Sequence, residues 1–309
     1  GWHYEIDGPD APLTYKGVVF NEMKGAYSSP DALIGRYSQQ TIFPDNVYGL
    51  DSGGDPAVIP DLTYEQFKRF YERHYHPSNS YIFFYGDDHS DERLRLVDAY
   101  LSGYEPIEPA PPVALQPAFD ATRRFVYGYD AGADGDNGAG PARRSYVTIN
   151  WLLNEVTDLE TTLALDVLSH ILVSTQASPL RKALIDSGLG EGVIGGGYDS
   201  SYRQAMFSTG LKNIAAADCS QVEQLVLDTL AGLARDGIDR DMIAASLNTI
   251  EFRLREANTG SFPRGLVAMF DAVTMWLYGG DLLAGLAFEA PLASIKAKAL
   301  LWPPCLLPS

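Results

Sequence analysis

The sequence predicts an α+β protein built as two tandem domains, with mainly antiparallel sheets packed against helices. Short strands and amphipathic helices occur in both halves of the chain, but they do not alternate strictly as they would in a doubly wound parallel sheet. A stretch with five prolines in fifteen residues, 105–119, separates the halves. We therefore expect a first domain at 1–104, a linker at 105–122 and a second domain at 123–309, which becomes irregular after about residue 297.

Local signals predict three helices and one strand in the first half. Ser29 followed by Pro30 is typical of a helix start, and this helix is expected to continue to about Phe43. The segment Thr63–Gln66 has the pattern of a capping box and opens a second helix. The β-rich run Tyr81–Gly86 predicts a strand, and Ser90 is expected to cap a third helix. The apolar stripe of the second helix consists of Phe67, Phe70, Tyr71 and His74.

The second half contains two runs that predict strands and one glycine-rich run. Apolar residues alternate with polar ones in "SYVTINWLL", residues 145–153, as in a half-buried strand. The run "MFSTGLKNI", residues 206–214, is typical of another strand. Between them, "GLGEGVIGGG" at 188–197 is expected to be flexible or to form a tight turn, because glycine imposes little conformational restriction.

The remaining helices of the second half are predicted by their caps and apolar stripes. Ser178-Pro179 begins a helix that Gly188 ends. The segment Ser220–Glu223 has the pattern of a capping box, and its helix is expected to stop at Gly237. Asp239 is predicted to cap the next helix, which carries apolar residues on one face.

Composition favours a soluble globular protein and disfavours some partners. Apolar residues make up 46% of the chain and charged residues 20%, and no apolar run approaches the roughly 20 residues that span a bilayer. The formal charge of −17 repels nucleic-acid phosphates and could favour basic peptides. Two distant cysteines, Cys219 and Cys305, do not form a disulfide framework, so a reducing compartment is expected. No motif for a small-molecule cofactor is present.

The residues alone do not predict a complete active site. The chain has five histidines but neither an H-E-x-x-H motif nor the inverted H-x-x-E-H motif. His74 and His76 are the one close pair, and two residues apart on a helix they point in different directions, so a structural role is favoured over zinc binding. No Gly-x-Ser-x-Gly motif or phosphate-binding loop occurs either.

Several long segments resemble one family. They are "YKGVVFNEMKGAYSSPD", "YGLDSGGDPAVIPDLTYEQFKRFYERHYHPSNSYIFFYGDD", "ASPLRKALIDSGLGEGVIGGG", "LNTIEFRLREANTGSFPRGL" and "WLYGGDLLAGLAFEAPLASIKA". In this order they resemble the presequence protease branch of the pitrilysin/insulinase zinc metallopeptidases. The resemblance covers residues 1 to about 297. It implies two tandem domains of the family type, with 1–104 as the later part of the catalytic domain and 123–309 as a second domain without metal ligands.

The resemblance also implies a chemistry and a site residue. Family members are zinc endopeptidases that cleave short unstructured peptides, such as targeting peptides, in an enclosed chamber. Two histidines and a general-base glutamate come from an H-x-x-E-H helix, and a third zinc ligand is a glutamate further along the chain. In this sequence that ligand corresponds to Glu22, in the "NEM" that follows the apolar run "VVF", which is expected to seat the segment in the core.

The sequence departs from the family in that the H-x-x-E-H helix is absent. Only 21 residues precede Glu22, so we expect a fragment that lacks this helix and the family's C-terminal half, has no catalytic residue of its own and has no peptidase activity alone. Zinc would then belong to the complete protein, and the partners would be unstructured peptides. The alternative is a non-catalytic, peptidase-like binding or scaffold subunit. The compartment is not fixed by the sequence and could be a bacterial cytoplasm or an organelle matrix or stroma.

Overall fold

The structure is a computed structural model that describes residues 1–130, 143–257 and 259–301. Its strands and helices are, in chain order, β1 His3–Ile6, β2 Leu13–Lys16, α1 Val18–Ala26, α2 Pro30–Ile42, α3 Tyr64–His74, α4 Ser90–Leu101, β3 Arg143–Glu155, α5 Leu159–Ser169, α6 Pro179–Asp186, β4 Gly192–Asp199, β5 Gln204–Ala215, α7 Cys219–Asp236, α8 Arg240–Glu256, α9 Arg264–Leu277 and α10 Glu289–Leu301. A π-helix, His170–Ser174, extends α5. The mixture of helices with antiparallel sheets confirms the predicted α+β class.

The chain divides into two compact units that interleave along the sequence. Unit 1 comprises Gly1–Gly25, Ser52–Val113 and Asn258–Leu286, and unit 2 comprises Ala26–Asp51, Ala114–Ala257 and Ala287–Ser309. The predicted linker at 105–122 has no regular secondary structure. The domain boundaries at 104 and 123 stay a prediction.

Unit 1 is built around the β1–β2 hairpin and helices α3, α4 and α9. The hairpin is antiparallel, and its side chains form an aromatic cluster in which the rings of Trp2 and Tyr15 lie 5.1 Å apart. The predicted capping box of α3 is present, since the Thr63 side chain and the Gln66 side chain each bind the other's backbone N–H. The stripe predicted from Phe67 and Phe70 is nevertheless exposed, because in the described part of unit 1 no element packs over it.

The strand predicted at Tyr81–Gly86 does not form. A strand needs a neighbour that accepts and donates its backbone hydrogen bonds. In the part of unit 1 that the structure describes, β1 and β2 are the strands, and they pair with each other. The composition of Tyr81–Gly86 favours a strand, but in the described part of unit 1 no neighbouring strand pairs with it.

Unit 2 contains a three-stranded antiparallel sheet with the order β3-β5-β4. β3 and β5 pair over nearly their whole length, with Ile149 opposite Thr209. Because side chains alternate along a strand, this sheet has an apolar face and a polar face. The apolar face packs on α6 and α7, where Leu180, Leu211 and Val226 are completely buried.

A second apolar cluster joins three helices of unit 2. It lies where α5, α8 and α10 meet, and it includes Val167, Ile250 and Leu292. The caps that the sequence predicts for unit 2 are partly confirmed. The Asp239 carboxylate accepts the backbone N–H groups of two residues in the first turn of α8, and Gly188 takes the left-handed conformation, φ +63°, just after α6.

Two local predictions for unit 2 are corrected. The glycine-rich run at 188–197 is not a flexible segment. Its first residues form the tight turn between α6 and β4, which was the alternative prediction, and Gly192–Asp199 forms strand β4 on the free edge of β5. The capping box at Ser220–Glu223 does not form, since α7 already begins at Cys219. The Glu223 carboxylate instead binds the guanidinium of Arg124, at 3.1 Å from its Nε. Cys219 is a free thiol, and Cys305 lies outside the described residues.

Candidate functional site

A groove in unit 2 lies between α2 and the polar face of the sheet. Its volume is about 560 Å³. The helix contributes one wall, β3 and β5 contribute the floor, and β4 contributes the opposite wall. The lining residues are Asp31, Ile34, Gly35, Ser38, Gln39, Thr148, Val193, Ile194, Gly195, Gly196, Asp199, Tyr202, Met206, Ser208 and Lys212.

Helix α2 is held over the sheet at both of its ends. Its start is capped as the sequence predicts, since the Ser29 hydroxyl accepts the N–H of Ala32 at 3.2 Å. In the same turn, Asp31 binds Lys212 Nζ of β5 at 2.7 Å. At the end, Ile42 and Phe43 are buried against Met206 of β5. Between these anchors the helix crosses β3 without closing the space above β5, which leaves the groove.

The floor of the groove is a connected set of polar side chains. The Ser208 hydroxyl donates to Asn150 Oδ1 at 2.6 Å. Asn150 Nδ2 donates to Thr148 Oγ1 at 3.2 Å and to Ser38 Oγ at 3.4 Å. The hydroxyls of Ser38 and Thr148 are hydrogen-bonded at 3.0 Å. These residues come from three separate elements, so the network fixes α2 to the sheet.

Charged and phenolic groups flank this floor. Lys212 Nζ lies 2.7 Å from Asp31 Oδ2, and this hydrogen bond raises the pKa of the Lys212 amine. Burial raises the pKa of the Tyr202 phenol, with a smaller contribution from the carboxylate of Asp199. The phenol therefore stays protonated and donates to Gln39 Oε1 at 2.9 Å. The groove thus offers both hydrogen-bond donors and hydrogen-bond acceptors in fixed positions.

Strand β4 forms the rim of the groove and carries a bulge. Ile194 pairs with Gly210 and Gly197 pairs with Ser208, so that Gly195 and Gly196 together face one residue of β5. Gly195 has φ +86°, and a Cβ there would lie 2.6 Å from the backbone of Ser208. Only glycine fits this position. The other side of β4 carries no paired strand in the described residues. At its end the N–H of Tyr198 donates to Ser169 Oγ of α5 at 2.9 Å and Gly197 is buried, so the part of the edge that could pair with a further chain is Gly192–Gly196.

The structure places the sequence-predicted metal ligand Glu22 on the exposed surface of α1. The expectation that the preceding apolar run is buried is wrong for two of its three residues, since Val18 is 84% exposed and Val19 is 41% exposed. Only Phe20 is buried, because α1 turns a single face towards the hairpin, where the Phe20 ring lies 6.2 Å from the ring of Tyr15. Whether Glu22 binds zinc stays a prediction.

The described residues do not by themselves make a zinc site. Across 1–130, 143–257 and 259–301, no group of three or more histidine, cysteine, aspartate or glutamate side chains could hold a metal ion. The His76 ring accepts the backbone N–H of Ser78 at 3.2 Å, and the His74 ring packs on Phe70 at 4.4 Å. Both contacts support the structural role favoured for this pair.

The sequence analysis missed the groove. Its floor combines Ser38 with Thr148 and Asn150, more than a hundred positions further along the chain. One sequence signal could have indicated the groove. Polar residues occupy alternate positions of β3, which predicts that one face of the sheet is polar and does not pack in the apolar core. The partner of that face could not be read from the sequence.

Comparison with known proteins identifies the family. The family model for the peptidase M16 inactive domain matches residues 61–250, more than half of the chain. The chain belongs to the M16 peptidase family. This M16 chain is 47% identical over 96% of its length to presequence protease 1, chloroplastic/mitochondrial, of Arabidopsis thaliana, and 36% identical over 91% to the mitochondrial presequence protease of Mus musculus. The resemblance to the presequence protease branch is thereby confirmed.

The M16 chain spans only part of these relatives. It covers 28% of the Arabidopsis protein and 27% of the mouse protein, and it covers 30% of the protein HypA of Clostridium perfringens, to which it is 42% identical over 96% of its own length. These three relatives are therefore more than three times as long as this chain.

Solved structures agree on the fold. A protease from Helicobacter pylori superimposes with a TM-score of 0.67 at 17% identity, covering 91% of this chain and 66% of that one. The peptidase M16 inactive domain from Pseudomonas fluorescens gives a TM-score of 0.62 at 18% identity, covering 90% and 62%. Within the residues that the structure describes, no helix is both long and apolar enough to cross a membrane.

Proposed function

We propose that this M16 chain is part of a zinc metalloendopeptidase that cleaves short unstructured peptides, and that its own contribution is to bind an extended stretch of the peptide in the groove beside β4. The observation that carries the proposal is the edge of β4 at Gly192–Gly196, which pairs with no further strand in the described residues and lies along a groove of about 560 Å³. An extended peptide adds to such an edge through main-chain hydrogen bonds, which do not depend on its sequence. The groove then receives alternate side chains.

The charge of the chain supports basic peptides as substrates. The formal charge is −17, and the groove lining contains two carboxylates, Asp31 and Asp199, against the single amine of Lys212. Opposite charge raises the local concentration of a basic ligand and its rate of association. The relatives from Arabidopsis and mouse carry the name presequence protease. We therefore propose targeting peptides as one substrate class, bound inside an enclosed chamber that the complete protein forms.

The zinc chemistry needs residues beyond this chain. We propose Glu22 as one ligand of a zinc ion whose other ligands, and whose general base, come from polypeptide outside the 309 residues. Zinc held by three side chains keeps a position for water, lowers the pKa of that water and polarises the peptide carbonyl. Since the described residues supply one candidate carboxylate and no cluster, we expect no zinc-dependent cleavage of an unstructured peptide by the purified chain. Such cleavage would contradict this part of the proposal.

Domain boundaries at 1–104 and 123–309, joined by a linker at 105–122, remain part of the proposal. A non-catalytic binding subunit is the second candidate. It is favoured by the match of residues 61–250 to the inactive domain of the family. In both cases the function of this chain is to hold peptide, so the same experiment tests both.

A matched pair of variants at Gly35 tests whether the groove binds peptide. Gly35 lies on α2 in the lining, and a Cβ there would meet no atom within 4 Å. Gly35→Leu fills the groove, and we expect it to weaken binding of a labelled, basic, unstructured peptide by about tenfold or more, the equivalent of about 1.4 kcal/mol. Gly35→Ala adds only a methyl group and should bind as the parent does.

Fluorescence anisotropy of the labelled peptide measures both affinities. Neither variant should unfold the helix, because alanine and leucine both favour helix more than glycine does. Equal affinity of the parent and both variants would show that the peptide binds elsewhere.

A further inference from the structure

The polar floor of the groove contains one hydrogen-bond donor more than it uses. Its four side chains carry five polar hydrogens, one on each of the hydroxyls of Ser38, Thr148 and Ser208 and two on the Asn150 amide. Ser208 donates to Asn150 Oδ1, and the two amide hydrogens go to the oxygens of Thr148 and Ser38. Three hydrogens are used in these bonds.

The remaining two hydrogens belong to the hydroxyls of Ser38 and Thr148, which share a single hydrogen bond of 3.0 Å. One hydroxyl donates in that bond, so the hydrogen of the other has no acceptor within the network. Both residues line the groove, and Ser38 is only 7% exposed. Thr148 is partly exposed. Whichever hydroxyl keeps the spare hydrogen, the donor belongs to a side chain that lines the groove, and a bound ligand with an acceptor there can replace water as its partner.

We infer that the groove floor recognises a carboxamide side chain, glutamine or asparagine, of the bound peptide, with the carboxamide oxygen accepting the spare hydroxyl hydrogen of the Ser38–Thr148 pair. This inference rests on the proposed function, since it requires that peptide occupies the groove.

The charges of the lining select a carboxamide over a carboxylate. Both groups present an oxygen acceptor, but Asp31 and Asp199 both line the groove, and the one lysine there is already bound to Asp31. An anionic side chain would therefore be repelled. A neutral carboxamide also brings two N–H donors. Asp199 uses one oxygen to accept the N–H of Ser201 at 2.9 Å and keeps the other as an acceptor.

The test compares peptides that differ in one side chain. The probes are labelled, basic, unstructured peptides in which glutamine replaces methionine at one position at a time, plus a glutamate version of each. Methionine has a similar length and no amide. At one position we expect glutamine to bind about fivefold to tenfold more tightly than methionine, the size of one hydrogen bond, and glutamate to bind no better than methionine.

Variants of the floor assign this preference to the hydroxyl pair. Ser38→Ala, Thr148→Val, Asn150→Leu and Ser208→Ala combined in one variant should bring the ratio of the glutamine and methionine affinities to about one, because no donor is left on the floor. All four are needed, since removing the two hydroxyls alone would release the amide hydrogens of Asn150. Thr148→Ser keeps a hydroxyl and should keep the ratio. Thr209→Val, on the same strand as Ser208 but on the opposite face of the sheet, is the matched control and should also keep it.

The outcomes separate this inference from the proposed function. If Gly35→Leu does not weaken binding of these peptides, the groove is not the site, and both proposals fail. If Gly35→Leu weakens binding but glutamine is preferred at no position, the carboxamide inference alone is wrong. It is also wrong if the variant without floor donors weakens the glutamine and methionine peptides equally, since the spare hydrogen would then bind the peptide main chain.

Discussion

Thr209 places a hydroxyl group on the apolar face of the unit 2 sheet. Its side chain is 1% exposed, and the hydroxyl has no hydrogen-bond partner among the described residues. Two positions along the strand, Leu211 is completely buried on the same face. The hydroxyl therefore lost its hydration on folding and gained nothing in exchange.

Replacing this hydroxyl with a methyl group should stabilise the protein. We expect Thr209→Val to raise the free energy of unfolding by about 1 kcal/mol, because the shape is kept and an unsatisfied polar group is removed. Thr148→Val is the matched control with the opposite sign, since it removes a hydroxyl that two partners use. Urea unfolding measures both changes, and a destabilised Thr209→Val protein would contradict the account.

The bulge in β4 makes two neighbouring glycines unequal. Gly195 has φ +86° and no room for a Cβ, whereas a Cβ at Gly196 would meet no atom within 4 Å. We expect Gly195→Ala to lower the free energy of unfolding by about 1–3 kcal/mol, from backbone strain and the clash with Ser208. Gly196→Ala should change it by less than about 0.5 kcal/mol, as exposed substitutions do. Equal effects in urea unfolding would mean that the bulge is not built as described.

At the scale of elements, α10 is attached to unit 2 by an apolar face and by two charged clusters. Lys296 of α10 and Arg255 of α8 bind Glu251, and they lower the pKa of its carboxyl group, Lys296 contributing most. Lys298 and then Ser294 lower the pKa of Glu160 on α5. A carboxyl group whose pKa is lowered by folding stabilises the fold above its ordinary pKa, and this contribution is lost as the pH falls through the lowered value.

Acid should therefore loosen the attachment of α10. The unfolding temperature of the parent is expected to fall more between about pH 6 and about pH 3 than that of the double variant Glu160→Gln, Glu251→Gln, because only the parent has these carboxylates to protonate. The two proteins should approach each other at the acid end. Glu256→Gln, on the same helix as Glu251, should follow the parent. Parallel curves for parent and double variant would show that these clusters do not contribute.

Elements with local signals were predictable from the sequence, and elements that depend on distant partners were not. Helix α2 starts and ends where Ser29, Pro30 and the apolar pattern place it, because a cap acts within one turn. The glycine-rich strand β4 was missed, because only the edge of β5 gives Gly192–Asp199 its hydrogen bonds. Tyr81–Gly86 shows the converse, since a good strand composition without a partner forms no strand.

At the scale of the whole molecule, the sequence predicted the family and the fold class but not the groove. Glu22 came from resemblance to the family, and the structure places it on an exposed helix face. The groove could not be predicted, because Ser38 and Thr148 meet only after α2 packs on the sheet. The chain covers 27–30% of the three relatives named above, and we propose that the other zinc ligands lie in polypeptide outside it.

The central claim is that this M16 chain binds an extended peptide along the edge of β4. Amide hydrogen exchange of the purified chain, with and without a basic unstructured peptide, tests it most directly, because main-chain hydrogen bonds to a new strand slow the exchange of edge amides. We predict slower exchange across Gly192–Gly196 when the peptide is present, and no such change in Gly35→Leu. The amide of Tyr198, which already donates to Ser169 Oγ, should not change. Unchanged exchange in β4 at a peptide concentration that saturates binding would contradict the claim.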